Sequence, residues 1–157
     1  HMDEYYMQEA LKEARKAYEK KEVPIGAVVV LNGEIIGRGY NQNKYGKNPL
    51  YHAEIIAIHQ AAKTIGEARL PEAEIYITLE PCAMCAGAMI HARFRRVVIG
   101  TMDKKRGCAG SVMNLLEEEH FNHRPETVRG ILEKECADIL SEFFKKLREE
   151  KKVRKNE

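Results

Sequence analysis

The segment that most limits the fold is a valine-rich apolar run, Ile25 to Leu31, followed by Asn32-Gly33 and a second run, Glu34 to Tyr40. An unbroken apolar stretch of this length suits a buried strand. Asn-Gly between two such runs is the strongest short hairpin signal, because both residues tolerate positive φ. The pair therefore predicts two adjacent antiparallel strands.

The rest of the chain alternates between helical and extended patterns. Residues 3–20 predict an amphipathic helix, with Met7, Ala10, Ala14 and Ala17 at helical spacing and Leu11 and Tyr18 beside them. Residues 41–51 are polar, with Gly46 and Pro49, and predict a loop. His52 to Lys63 returns to helical spacing, with Ala53, Ile56, Ala57 and Gln60 on one side and Ile55, Ile58 and Ala62 widening it. Glu74 to Leu79 predicts a strand, Pro81 to His91 a small-residue helix, Arg96 to Gly100 a strand, and residues 126–132 a fifth strand. A last helix is expected from Glu133 to Lys151, with Cys136, Ile139, Leu140, Phe143, Phe144 and Leu147 as its apolar stripe. Alternation of this kind argues for an α/β domain with helices on the sheet faces. The hairpin makes the sheet mixed. At 157 residues the chain fits one domain, residues 1–157.

No apolar run approaches the roughly 20 residues needed to span a bilayer, so no membrane partner is expected. The start, His1-Met2-Asp3-Glu4, lacks a charged-then-apolar signal layout, and His1-Met2 reads as an expression scar. The expected home is the cytoplasm. Four cysteines there favour metal binding or redox work over a disulfide framework. A net charge of +2 makes a weak case for a polyanionic partner. The stretch from Lys145 to Glu157 is locally basic, with seven Lys/Arg against three acids. Its end, residues 151–157, suits a solvated helix terminus as well as RNA contact.

The chemistry sits in two short motifs, His52-Ala53-Glu54 and Pro81-Cys82-Ala83-Met84-Cys85, each opening a predicted helix. Cysteines three apart at a helix start present both thiols on one face, and Pro81 is expected in the first turn. The helix N-terminus favours thiolate, the form that binds metal. Two thiolates and one imidazole give Zn²⁺ three protein ligands and leave a fourth position for water, the mark of a catalytic rather than a closed site. Residues two apart on a regular helix diverge, so His52 is placed at the very start, where it and Glu54 can share one cleft. A carboxylate there can take a water proton and pass it to a substrate. Two other readings stay open. A strand, C-x-x-C and a helix is also the layout of dithiol redox domains. A closed structural zinc would need a fourth ligand, and Cys108 is the near candidate, although a small buried thiol explains it better. Cys136 is expected in the core, and His59, His91, His120 and His123 as surface or satisfied groups.

The H-x-E and P-C-x-x-C pair resembles the signature of zinc nucleobase deaminases in the cytidine/deoxycytidylate deaminase superfamily. Further segments resemble the bacterial tRNA-specific adenosine deaminases: Glu22 to Val28, Thr78 to Cys82, Met84 to Ala88, Gly107 to Ser111, Phe121 to Arg124, and Phe143-Phe144. That resemblance implies a three-layer α/β/α fold around a sheet of about five strands. It implies one zinc per chain on His52, Cys82 and Cys85, with Glu54 as proton shuttle. It implies that Asn41 holds the flipped adenine and its ribose, and that Asp103 contacts the neighbouring sugar. The implied activity is hydrolysis of the wobble adenosine of tRNA to inosine, by a homodimer that binds the anticodon stem-loop. A small-molecule deaminase of guanine or cytosine type and a non-catalytic RNA-binding domain are the rivals. The chain departs from the family at Asn48-Pro49-Leu50-Tyr51, where Asp-Pro-Thr-Ala is expected. Leu50 and Tyr51 are bulkier and are expected at the pocket mouth, with Tyr51 either stacking on an extruded base or packing as core.

Overall fold

Successive side chains of a strand point to opposite faces, so an unbroken apolar run has to be covered on both sides. In the computed structural model, which describes residues 2–156, it is. His1 of the scar and Glu157 of the basic end lie outside the described residues. In β1 (Gly26–Leu31), Ala27 and Val29 enter one core, and Val28 and Val30 the other. β3 (Glu74–Leu79) and β4 (Arg96–Thr101) divide in the same way: Ile75, Ile77, Val97 and Ile99 face one layer, Tyr76 and Val98 the other. The first layer holds α2 (Ala53–Ile65) and α3 (Ala83–Ala92). The second holds α1 (Asp3–Glu19) and α4 (Glu133–Lys155).

The sheet also contains β2 (Glu34–Tyr40) and β5 (Glu126–Arg129), in the order β2-β1-β3-β4-β5. β1 runs antiparallel to both β2 and β3, whereas β3, β4 and β5 are parallel. The hairpin turns on Asn32 and Gly33, with φ of 51° and 79°, and Leu31 pairs with Glu34 across it. Both residues sit in the left-handed region that such a turn requires. A 3₁₀ turn over Leu115–Glu117 has no counterpart in the sequence expectations.

Three details differ from what the sequence suggests. α2 buries Ala53, Ala57 and Ala61 fully, while Ile55, Ile56 and Ile58 are half-buried and Gln60 is exposed. Small residues win this face because β2 offers glycines. A Cβ on Gly37 would lie 2.2 Å from the Ala57 carbonyl oxygen, and one on Gly39 would lie 2.3 Å from that of Ala53. α4 continues to Lys155, so most of the basic stretch is helix rather than tail. Of its expected stripe, Cys136, Ile139 and Phe143 are buried and Phe144 is exposed.

An ion-pair network at the far end of the sheet ties α1 to the strands. Asp3 accepts hydrogen bonds from Arg96 Nη1 and Nη2, at 3.1 and 2.9 Å, and from the Tyr76 hydroxyl at 2.8 Å. Arg96 also pairs with Glu74 at 2.6 Å.

Candidate active site

α2 begins at Ala53, and His52 is its N-cap in extended backbone, with φ −77° and ψ 152°. Because His52 stands outside the helical turn, its imidazole is free of the 100° step that would separate it from Glu54. Glu54 is only 4% exposed. Burial pushes its carboxyl up to about 7, against opposing hydrogen bonds from its own N–H and from Cys85, and against the nearby His52.

α3 likewise begins just after its first ligand candidate. Cys82 is the N-cap, Cys85 lies one turn in, and both reach His52. Pro81 therefore sits outside the helix, two positions before its first residue, rather than in its first turn. Fixed in φ, it still ends β3 and aims the chain into α3.

His52 Nδ1 lies 3.7 Å from Cys82 Sγ and 3.5 Å from Cys85 Sγ, and all three donor atoms fall within 4.8 Å of one another. Tetrahedral Zn²⁺ with its usual bond lengths, about 2.3 Å to sulfur and 2.0–2.1 Å to nitrogen, puts a nitrogen and a sulfur about 3.6 Å apart. The spacing fits the ion. So does the charge. Hydrogen bonding from Cys85, then from His52, holds the Cys82 thiol down to about 3. Cys85 is pushed far up because it shares its proton with Cys82 and is buried. A divalent cation at the centre would displace the remaining thiol proton and hold both sulfurs as thiolates. Among the described residues no fourth Cys or His joins this group. Cys108 is buried beside the Arg106 carbonyl, and Cys136 packs in the α1–α4 core. The donor set is that of an open site, and His52 has no place in a simple dithiol.

Of the three donors, His52 lines a cleft of about 630 Å³. Asn41 and Asn43 line it from the loop after β2, Asp103 to Arg106 from the loop after β4, and Leu140 and Phe144 from α4. Asn41 is 6% exposed, and its Nδ2 donates to the Val23 carbonyl at 3.3 Å. Asp103 accepts from the N–H groups of Lys105 and Arg106, at 3.1 and 3.2 Å, which folds its loop around it. Tyr51 is not in the lining. It is 41% exposed, Leu50 is 54% exposed, and the Tyr51 ring lies against Gly46, where a Cβ would come within 2.4 Å of it. Neither is core. A larger groove of about 880 Å³ between the ends of α1 and α4 holds none of the donors.

Several residues of the site escape a reading by motif. Lys104-Lys105-Arg106 is a visible cationic run, but nothing in the sequence says that it rims the cleft. Glu22 and Glu80 are buried, at 4% and 3% exposure, and accept hydrogen bonds from the two cleft loops. No spacing rule reveals such partners. His59, His91 and His120 are exposed, and His123 Nε2 lies 2.7 Å from the Phe94 carbonyl oxygen.

A three-layer α/β/α domain with one imidazole, two thiols and a buried carboxylate at two helix starts defines a deaminase of the cytidine-deaminase-like fold. The model of the MafB19-like deaminase family matches residues 2–148. The chain is 55% identical over 155 residues to the tRNA-specific adenosine deaminase of Bacillus subtilis, covering 98% of this chain and 96% of that one. It belongs to the tRNA-specific adenosine deaminase family. A solved structure from work on A-to-I editing by tRNA:A34 deaminases superposes with a TM-score of 0.83 at 43% identity, over 87% of this chain and 99% of that one. The guanine deaminase of Nitrosomonas europaea shares the fold alone, with a TM-score of 0.78 at 22% identity over 89% and 83% of the two chains.

Proposed function

We propose that this chain hydrolyses the wobble adenosine of a tRNA to inosine and ammonia, with one zinc ion on His52, Cys82 and Cys85 and with Glu54 as the proton carrier. The observation that carries this is the tetrahedral spacing of one nitrogen and two sulfurs beside a buried carboxylate. The names borne by its relatives supply the substrate class.

Bound there, zinc would lower the pKa of a water molecule enough to make hydroxide available at neutral pH. Glu54 accepts a proton from that water on its carboxylate and returns it on the substrate side of the cleft. In the overall change the water oxygen becomes the C6 carbonyl of the base and the C6–N bond breaks. One water proton ends on ring N1 and the other on the departing ammonia. Asn41, held by Val23, is assigned to the base and its ribose, and Asp103, fixed by its own turn, to the neighbouring sugar. Tyr51 is assigned to an RNA base outside the cleft, since its exposed ring adjoins His52 in the chain. The whole chain is read as one deaminase domain acting on the anticodon stem-loop.

Two copies are proposed to pair through the α2–α3 layer, where Ile55, Ile58 and Ile90 remain only half-buried. No helix among the described residues is long and apolar enough to cross a membrane, and the proposed workplace is the cytoplasm.

The test offers the purified protein an anticodon stem-loop, free adenosine, guanine and cytosine, and measures ammonia. Release from the stem-loop at a rate well above all three small molecules is the expected result. Faster release from guanine or cytosine would replace the tRNA assignment with a small-molecule one.

A further inference from the structure

The two loops that line the cleft are each strapped to the body of the protein by one buried glutamate. Glu22 lies just before β1. Its Oε1 accepts the Lys44 N–H at 3.2 Å, and its Oε2 accepts the Tyr45 N–H at 2.6 Å. Those residues belong to the loop that carries Asn41 and Asn43. Glu80 lies at the end of β3. Its Oε1 accepts the Asp103 N–H at 2.9 Å and the Ser111 hydroxyl, and its Oε2 accepts the N–H groups of Ala109 and Ser111, both at 2.9 Å. That loop carries Asp103 and the Lys104–Arg106 run. The contact is close-fitting as well as polar: a Cβ on Gly107 would lie 2.1 Å from the Glu80 carboxyl carbon. Among the described residues neither glutamate makes an ion pair with a basic side chain.

Two buried carboxyl groups are therefore met by loop N–H groups and one hydroxyl. A buried carboxylate is costly unless its oxygens are fully hydrogen-bonded, and hydrogen bonds to an ionised acceptor are the stronger kind. Each loop is thus held in the one shape that satisfies its glutamate. These shapes fix the backbone on which Asn41 and Asp103 stand.

We propose that Glu22 and Glu80 are positioning residues for the RNA substrate, Glu22 acting through the Asn41 loop and Glu80 through the Asp103 loop. The proposal rests on the assignment of an RNA substrate to this cleft. It goes further in saying that two acids that touch no substrate set where the substrate contacts lie.

Double-mutant cycles on the full chain separate positioning from general structural support. Glutamine keeps the shape of glutamate but turns an N–H donor toward groups that already donate. Glu22→Gln and Glu80→Gln should each lower kcat/KM for an anticodon stem-loop by about tenfold or more, mainly through KM, with melting temperature and zinc content near the parent's. Glu22→Gln combined with Asn41→Ala should fall within about threefold of the worse single variant, and so should Glu80→Gln with Asp103→Ala. The crossed combinations should multiply. Multiplication within a loop, or a lower melting temperature with unchanged kcat/KM, would overturn the proposal.

Should Glu80→Gln not fold, Ser111→Ala removes a single donor at an exposed residue. Its effect should vanish in the Asp103→Ala background, and an undiminished effect there counts against Glu80. Should Glu22→Gln not fold, Glu22→Asp shortens the reach to Lys44 and Tyr45 and enters the same cycle with Asn41→Ala. A parent protein that leaves the stem-loop untouched sinks the substrate assignment instead. Amide hydrogen exchange then decides on the glutamates. Faster exchange confined to residues 41–48 or 101–111 supports the straps, and exchange spreading through the sheet overturns them.

Discussion

In the proposed reaction Glu54 would trade protons with a substrate from a position almost without solvent. Its neighbours bear on this: the N-terminal turn of α2 supplies its own N–H, and the proposed zinc donors His52, Cys82 and Cys85 lie alongside. Glu54→Ala should retain zinc and fold while kcat falls by about 10²–10⁴-fold, the usual worth of a general acid–base group. Single-turnover rates beside a zinc assay would show this, and activity within a few-fold of the parent would remove Glu54 from the chemistry. Tyr51 presents the opposite situation, a ring that lies against Gly46 and is partly open to solvent. Tyr51→Ala should leave the melting temperature nearly unchanged and raise KM for the stem-loop by about tenfold, the equivalent of one lost stacking contact of 1–3 kcal/mol. A clear drop in melting temperature with KM unchanged would assign the ring to packing. His52, Glu54, Cys82 and Cys85 could be picked out before any coordinates, because metal chemistry restricts both residue type and spacing. Glu22 and Glu80 could not, because what a carboxylate does when buried depends on which N–H groups folding brings to it.

Among the described residues, the four α-helices and five strands announced themselves by period and turn signals, down to the two-residue hairpin turn at Asn32-Gly33. The buried face of α2 did not. Periodicity weights bulky residues, and it favours the isoleucines. Close approach to a glycine-bearing strand selects alanines, and the glycines lie on another element, β2. The contact is backbone against backbone, so it tolerates almost no added volume. Gly39→Ala would set a methyl group 2.3 Å from the Ala53 carbonyl oxygen and force α2 to lift at the end that carries His52 and Glu54. Overpacking of this kind should destabilise by about 1–3 kcal/mol, and here it should also lower activity per folded molecule. Urea midpoints paired with active-site titration can check both. Full activity with unchanged stability would mean that the seam yields.

The N-terminal helix is brought into the fold by charge as well as by packing. Arg96, which opens β4, holds the Asp3 carboxyl below the usual carboxylate range against the opposing effect of burial, with the Tyr76 hydroxyl assisting. A carboxyl depressed in the folded state adds stability above its unfolded pKa of about 3.9, and that contribution is lost as pH falls through the lower folded value. Asp3→Asn should thus melt several degrees below the parent at pH 7, and the two curves should converge below about pH 4. A gap that persists unchanged to pH 3 would mean that the pair contributes through shape alone.

The two outer strands have their own bearing on how copies of this chain meet one another. Edge strands are natural templates for strand addition, and proteins blunt them with short length, charge or cover. On β2 the outward Arg38 N–H is already taken by Gln60 Oε1 of α2, at 2.7 Å. β5 is four residues long and begins and ends on a charged side chain, Glu126 and Arg129. Neither edge invites a sheet to grow from one molecule into the next. The pairing proposed for two copies accordingly uses the helical faces, and a crowded solution of this protein should favour discrete assemblies over fibres.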